Sequence, residues 1–226
     1  MVVAGLAAMA CGREPRAAPP PAKDSDVAPS SALPAVLLIG TSLTAGYGLD
    51  PHEAWPSRLQ EMIDSSGFRF RVVNAGVSGE SSADALHRLD WLLSQGVPAV
   101  VVVESGANDA LRGEPVDSIR ANLDAILSRL EALSPRPVIV VVGMEALPNL
   151  GRVYGQQFRA LFPAVAHAHR APYLPFLLAG VAGVDSLNQS DGIHPNARGS
   201  AIVANNVWHT LRPILDSIQR RPHAGL

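Results

Sequence analysis

The chain has 226 residues, 47% of them hydrophobic and 17% charged, with a formal net charge of −2. That length and apolar share suit one globular domain with a substantial core, and a near-neutral balance without a basic cluster excludes an electrostatic nucleic-acid binder. A single cysteine excludes an intrachain disulfide and a cysteine-based zinc site.

Val2 to Ala10 is a short apolar stretch ending in small residues before Cys11, and residues 12–34 are rich in Pro, Ala and Ser without apolar periodicity. The second segment cannot bury a core and reads as an extended linker. Together the two resemble a bacterial lipoprotein leader with Cys11 as the lipidated residue, which implies export and attachment to a membrane through that residue. The other reading is a disordered cytoplasmic tail with a chance cysteine. No later stretch is long and apolar enough to span a bilayer.

From Pro34 onward strands and helices alternate, and the domain is expected to run over residues 35–219, with a tail at 220–226. Val36 to Ile39 is a first buried strand, ending at Gly40. Asp50-Pro51-His52-Glu53 reads as a helix start with Asp50 as N-cap, and Trp55, Leu59, Met62 and Ile63 share the helix's apolar face before Gly67 ends it. Phe70 to Val73 is a second strand, followed by a loop at residues 74–79. Ser81 or Ser82 caps the next helix, which buries Leu86, Leu89, Leu92 and Leu93. Ala99 to Val103 is apolar without alternation, as in a strand covered on both faces. A long helix follows Pro115, with Val116, Ile119, Leu123, Ile126, Leu127 and Leu130 at helical spacing. Val138 to Val142 is a fourth strand. A loop at 144–152 leads to a helix carrying Tyr154, Phe158, Leu161, Phe162 and Val165, which Pro163 is expected to kink. Tyr173 to Phe176 is a last short strand, and residues 177–190 hold a short helix and a loop. The turn Asp191-Gly192-Ile193-His194-Pro195-Asn196 precedes a final helix with Ile202, Val203, Val207, Leu211, Ile214 and Leu215. Five strands separated by helices imply an α/β fold with a mostly parallel five-stranded sheet between two helical layers. The polar loops Thr41–Thr44, Ser78–Gly79 and Asn108–Asp109 each follow a different strand, so they converge at one sheet edge.

A serine needs a base to take its proton and a group to hold that base in the right tautomer. Of the histidines, only His194 lies in a polar turn with an acid three residues before it; His52, His87, His167, His169 and His209 fall in helices and His223 in the tail. Asp191 and His194 on one turn place a carboxylate beside Nδ1 and leave Nε2 for Ser42. Acyl transfer also needs donors for a tetrahedral oxyanion, and Ser42 N–H, Gly79 N–H and the Asn108 amide are candidates. Each piece alone reads as a turn residue, a positive-φ glycine or a helix cap. Their joint placement points to a site.

The stretches GTSLTAGYG, NAGVSGESS, GAND and DGIHPN resemble, in order and spacing, the four blocks of the SGNH, or GDSL-type, hydrolases over roughly residues 35–216. LRG at 111–113 and RVYGQQF at 152–158 are similar to the bacterial thioesterase, lysophospholipase and arylesterase branch. The resemblance implies a flavodoxin-like three-layer α/β/α fold and no metal or cofactor. It implies Ser42 as nucleophile, His194 as base, Asp191 as its orienting acid, and Ser42, Gly79 and Asn108 as the oxyanion hole. It also implies a small ester, thioester or lipid substrate, and Leu111, Met144 and Leu147, apolar residues near the expected rim, are candidate substrate contacts. One position departs from the family: Gly-Asp-Ser-Leu is usual where this chain has Thr41. The uncharged hydroxyl is expected to alter loop order or rate without abolishing chemistry. The alternatives are a carbohydrate O-deacetylase and a non-catalytic binding protein on the same fold. A nucleotide or flavin binder is disfavoured, because the turn after the first strand carries neither the phosphate-loop nor the dinucleotide pattern, nor the Gly-x-Ser-x-Gly elbow.

Overall fold

The computed structural model describes residues 33–220. Cys11, the leader reading and His223 lie outside the described residues. Strands β1 (Ala35–Gly40), β2 (Arg71–Gly76), β3 (Val100–Val103), β4 (Val138–Val142) and β5 (Tyr173–Leu174) form one sheet in the order β2-β1-β3-β4-β5. Every pairing is parallel, with Leu38 opposite Asn74 and Val102, and Val102 opposite Val140. β3 is buried along its whole length, which is why its sequence shows no polar alternation.

The helices are α1 (Ser42–Ala45), α2 (Trp55–Ser65), α3 (Ser82–Ser94), α4 (Ala107–Leu111), α5 (Val116–Glu131), α6 (Arg152–Ala168) and α7 (Ala197–Gln219). α2 packs on α7, while α3 packs on α5 and α5 on α6. Right-handed crossovers set these two groups on opposite faces of the sheet. The core between them includes Leu38, Ile39, Leu59, Leu89, Ile126, Phe158 and Val207, all nearly inaccessible to solvent. No described helix is long and apolar enough to cross a membrane.

Several expected boundaries move. α2 begins five residues after the proposed cap, with Ala54 as N-cap and Pro56 in its first turn. Residues 51–53 form a turn, closed by the Glu53 N–H donating to the Asp50 carbonyl at 2.8 Å, so Asp50 and His52 lie ahead of the helix. β2 extends to Gly76 because Asn74 to Gly76 pair with Leu38 to Gly40. α6 runs through Pro163 without a break. Of the two candidate caps of α3, Ser81 is the one used: its hydroxyl accepts the Asp84 N–H while the Asp84 carboxylate accepts the Ser81 N–H.

The order 2-1-3-4-5 places the point where the connections diverge between β1 and β3. In such sheets ligands bind outside the carboxyl ends of the strands at that point. α1 follows β1 and α4 follows β3, so both short helices sit at this crevice.

Candidate active site

β1 ends at Gly40 and the chain turns at once into α1. Thr41 is extended (φ −96°, ψ −154°) and its carbonyl accepts the Ala45 N–H at 2.9 Å. Ser42 is thus the first residue of a one-turn helix. Its N–H has no intrahelical partner and points away from the Thr41 carbonyl. The loops expected at Thr41–Thr44 and Asn108–Asp109 are therefore helical turns, α1 and the start of α4. Gly40 is required for space: a Cβ there would lie 2.1 Å from Thr44 Oγ1 and 2.6 Å from Glu104 Oε2.

The turn before α7 is built to present His194. Asn196 caps α7 by accepting the N–H groups of Arg198 and Gly199 at 3.0 and 3.1 Å. The Gln189 N–H donates to the His194 carbonyl at 2.8 Å, and the Gln189 amide ties Pro195 to Tyr47 through their carbonyls. Within this frame Asp191 Oδ1 accepts the N–H groups of Ile193 and His194, at 2.9 and 3.0 Å, while Oδ2 lies 2.7 Å from His194 Nδ1. The His194 N–H, then its ring, then the Ile193 N–H hold the Asp191 carboxyl down to about 2. His194 Nε2 lies 2.8 Å from Ser42 Oγ. The Tyr47 ring covers the imidazole, centroid to centroid 4.7 Å.

Gly79 has φ +80°, a conformation that favours glycine, and a Cβ there would meet no protein atom within 4 Å. Its loop is held from three sides. Arg112 donates to the Gly79 carbonyl at 2.6 Å, and one Asn108 amide hydrogen goes to the Glu80 carbonyl at 2.9 Å. The buried Glu80 carboxylate pairs with Arg88, which also donates to the Ala75 carbonyl. The second Asn108 amide hydrogen has no acceptor among the described residues. Asp109, buried beside it, caps α3 by accepting the N–H and hydroxyl of Ser82 at 2.8 and 2.6 Å.

Ser42, Gly79, Asn108 and His194 all border one cavity of about 610 Å³. Leu111, Met144 and Leu147 line it too, together with Leu43, Ala110, Phe176 and Leu178. Met144 is buried, whereas Leu111 and Leu147 are exposed at the mouth.

Four residues that touch this machinery were missed by sequence reasoning: Tyr47, Glu104, Thr44 and Arg112. Arg112 lies inside the LRG stretch. Glu104 had a visible signal, a lone carboxylate directly after four buried valines. It is 1% exposed. Its oxygens accept the Thr41 N–H at 2.7 Å, the Thr41 hydroxyl at 3.0 and 3.1 Å and the Thr44 hydroxyl at 2.8 Å. Burial pushes its carboxyl up to about 7, against the pull of those donors and with a further push from the Glu80 charge. Thr41 therefore serves as a donor. An aspartate at 41 would set a second carboxyl against this one, and one of the two would have to hold a proton.

Residues 38–202 match the model of the GDSL-like lipase/acylhydrolase family. Esterase TesA of Pseudomonas aeruginosa is 38% identical over 180 residues, 80% of this chain and 89% of that protein. Thioesterase 1/protease 1/lysophospholipase L1 of Escherichia coli is 35% identical over 187 residues, 83% of this chain and 88% of that protein. Among solved structures, the psychrotrophic esterase EstA from a Pseudoalteromonas species, inhibited by monoethylphosphonate, aligns with a TM-score of 0.76 at 32% identity, covering 80% of this chain and 98% of that one. This chain belongs to the GDSL-like lipase/acylhydrolase family and is an ester hydrolase.

Proposed function

We propose that Ser42 attacks the ester or thioester carbonyl and that the reaction passes through an acyl-serine. The supporting observation is the unbroken chain from Asp191 through His194 to Ser42, with contacts of 2.7 and 2.8 Å. In this reading His194 Nε2 takes the Ser42 proton as the C–O bond forms. Asp191 holds Nδ1 protonated and stabilises the imidazolium. The oxyanion is received by the N–H groups of Ser42 and Gly79 and by the free amide hydrogen of Asn108. His194 then gives its proton to the leaving oxygen or sulfur, the C–O or C–S bond breaks, and the same nitrogen later activates water against the acyl-serine.

The substrate class follows from the cavity wall, which is mainly apolar beyond the polar groups around Ser42. A volume of about 610 Å³ accepts an aliphatic acyl chain, and beyond the groups around Ser42 the wall's polar side chains are few, among them Tyr47, Ser78 and Glu145. We assign aryl, short- to medium-chain acyl and lysophospholipid esters as the preferred substrates, with Leu111, Met144 and Leu147 contacting the chain. The relatives named thioesterase and lysophospholipase support that range. A series of p-nitrophenyl esters from acetyl to palmitoyl, with lysophospholipid and acetylated xylan, tests this on wild type and Ser42→Ala together. The expected maximum lies beyond acetyl, with no turnover by the variant. Preference for acetylated xylan would replace this reading with sugar deacetylation.

We also propose that residues 1–11 are a lipoprotein signal segment cleaved before Cys11, which carries the lipid, that residues 12–34 are a linker, and that the catalytic domain spans 35–219 with a tail at 220–226. Mass spectrometry of the mature protein expressed in a bacterial host tests this. An acylated N-terminal Cys11 is expected, and an unmodified chain beginning at Met1 would contradict it.

A further inference from the structure

Glu104 follows the last residue of β3 and bonds to the turn that carries Ser42, and the catalytic reading gives it no role. A buried carboxyl is costly unless it is well bonded. Among the described ion pairs none involves Glu104, so its compensation comes from hydrogen bonds alone. Those bonds all come from the block GTSLT. The Thr41 N–H and the Thr44 hydroxyl donate to Oε2, and the Thr41 hydroxyl reaches both oxygens. The Thr41 side chain does not cap α1, as a residue at that position commonly would, because it is turned inward to this carboxyl. Gly40 lacks a Cβ where one would collide with the same oxygen.

We infer that Glu104 is the positioning residue of the nucleophile turn, fixing Ser42 from behind by bonds to Thr41 before it and Thr44 after it. The Thr41 N–H is pinned to Glu104 and the Thr41 carbonyl to Ala45. Thr41 is thereby fixed on both sides of its Cα, and its carbonyl holds the peptide unit that joins it to Ser42. The planarity of that unit then sets the direction of the Ser42 N–H, and the same backbone sets where Oγ sits relative to His194 Nε2. Errors of an ångström in such an arrangement cost rate and leave ground-state binding almost untouched. This inference rests on the assignment of Ser42 as the nucleophile.

The test compares Glu104→Ala, Glu104→Gln, the double variant Thr41→Val/Thr44→Val and Ser42→Ala by p-nitrophenyl ester kinetics, fluorophosphonate labelling rate and thermal unfolding. Glu104→Ala is expected to lower kcat by about 10- to 100-fold with KM within about two-fold, and to slow labelling in parallel. Glu104→Gln keeps an oxygen for the Thr41 N–H and an amide that the hydroxyls can accept from, so it returns to within about ten-fold of wild type. If Glu104→Ala does not fold, the double variant, which keeps side-chain shape and removes two donors, is expected to lower kcat by roughly three- to ten-fold at unchanged KM. Wild-type kcat in either folded variant overturns the inference, as does a loss confined to KM or one that Gln does not relieve. Labelling of Ser42→Ala would instead overturn the nucleophile assignment. A silent Ser42→Ala beside a fully active Glu104→Ala defeats the positioning role alone.

Discussion

Replacing Glu104 by Gln should change how stability depends on pH. The carboxyl has an ordinary value of 4.5 and is pushed up to about 7 by burial in the folded protein. Below pH 4.5 folded and unfolded chains both hold the proton, and the group is neutral to stability. Between the two values the unfolded chain releases its proton first, so rising pH favours unfolding. Above about 7 both forms are ionised and the full penalty stands. At 1.36 kcal/mol per unit, this displacement costs roughly 3 kcal/mol at high pH, and roughly 2 to 3 kcal/mol of it develops between pH 5 and pH 8. Gln carries no titrating proton, so the variant lacks this component whatever its own baseline. Urea unfolding of both proteins at pH 5, 6.5 and 8 measures it, because other groups cancel in the difference. The wild type should lose stability relative to Glu104→Gln by that amount as pH rises. A gap independent of pH would refute the reasoning, and a gap of opposite sign would mean the donors of Thr41 and Thr44 outweigh burial.

Asn108→Ala should lower kcat by about 10²- to 10³-fold with little change in KM, since one oxyanion donor is lost; a change in KM alone, read from ester kinetics, would make Asn108 a substrate contact. Asp191→Asn keeps its amide oxygen for the Ile193 and His194 N–H groups and turns an NH2 donor toward Nδ1, which favours the wrong tautomer; kcat should fall by up to about 10⁴-fold at unchanged fold, as measured by kinetics beside circular dichroism. Because the Asp191 carboxyl is held down to about 2, its stabilising contribution is complete above pH 4 and fades only as pH falls toward 2, where acid titration of wild type and variant should converge. Met144→Trp should shorten the preferred acyl chain in a p-nitrophenyl ester series by filling the cavity wall, leaving acetyl ester turnover within about three-fold.

The candidate catalytic groups could be named from the sequence because the chemistry they would perform restricts both their type and their place. His194 stood out as the one histidine in a polar turn with an acid three residues before it. The parallel sheet was readable from apolar runs such as Val100 to Val103, which no amphipathic element would tolerate. Element boundaries were less so. Asp50-Pro51 has the composition of a helix start, but Pro56 and the turn at residues 51–53 set the start later, a tertiary choice among two acceptable ones. The short helices α1 and α4 were read as loops because a helix of four or five residues leaves no periodicity. Glu104 and Tyr47 escaped notice because their roles depend on contacts with Thr41, Thr44 and His194, distant in sequence or facing unexpectedly. Thr41, read as a mere departure from relatives, acquires a partner only once Glu104 is seen beneath it. Arg112 likewise acquires a function only when its reach to the Gly79 carbonyl is known.

The central claim is that acyl transfer runs through Ser42 with His194 as its base. Peptide mapping of the fluorophosphonate-treated protein by mass spectrometry tests it most directly, with His194→Ala run in parallel. One adduct on Ser42 in the wild type, and none in the variant on the same timescale, is the predicted result. An adduct on any other residue, or an active enzyme that takes no adduct, would contradict it.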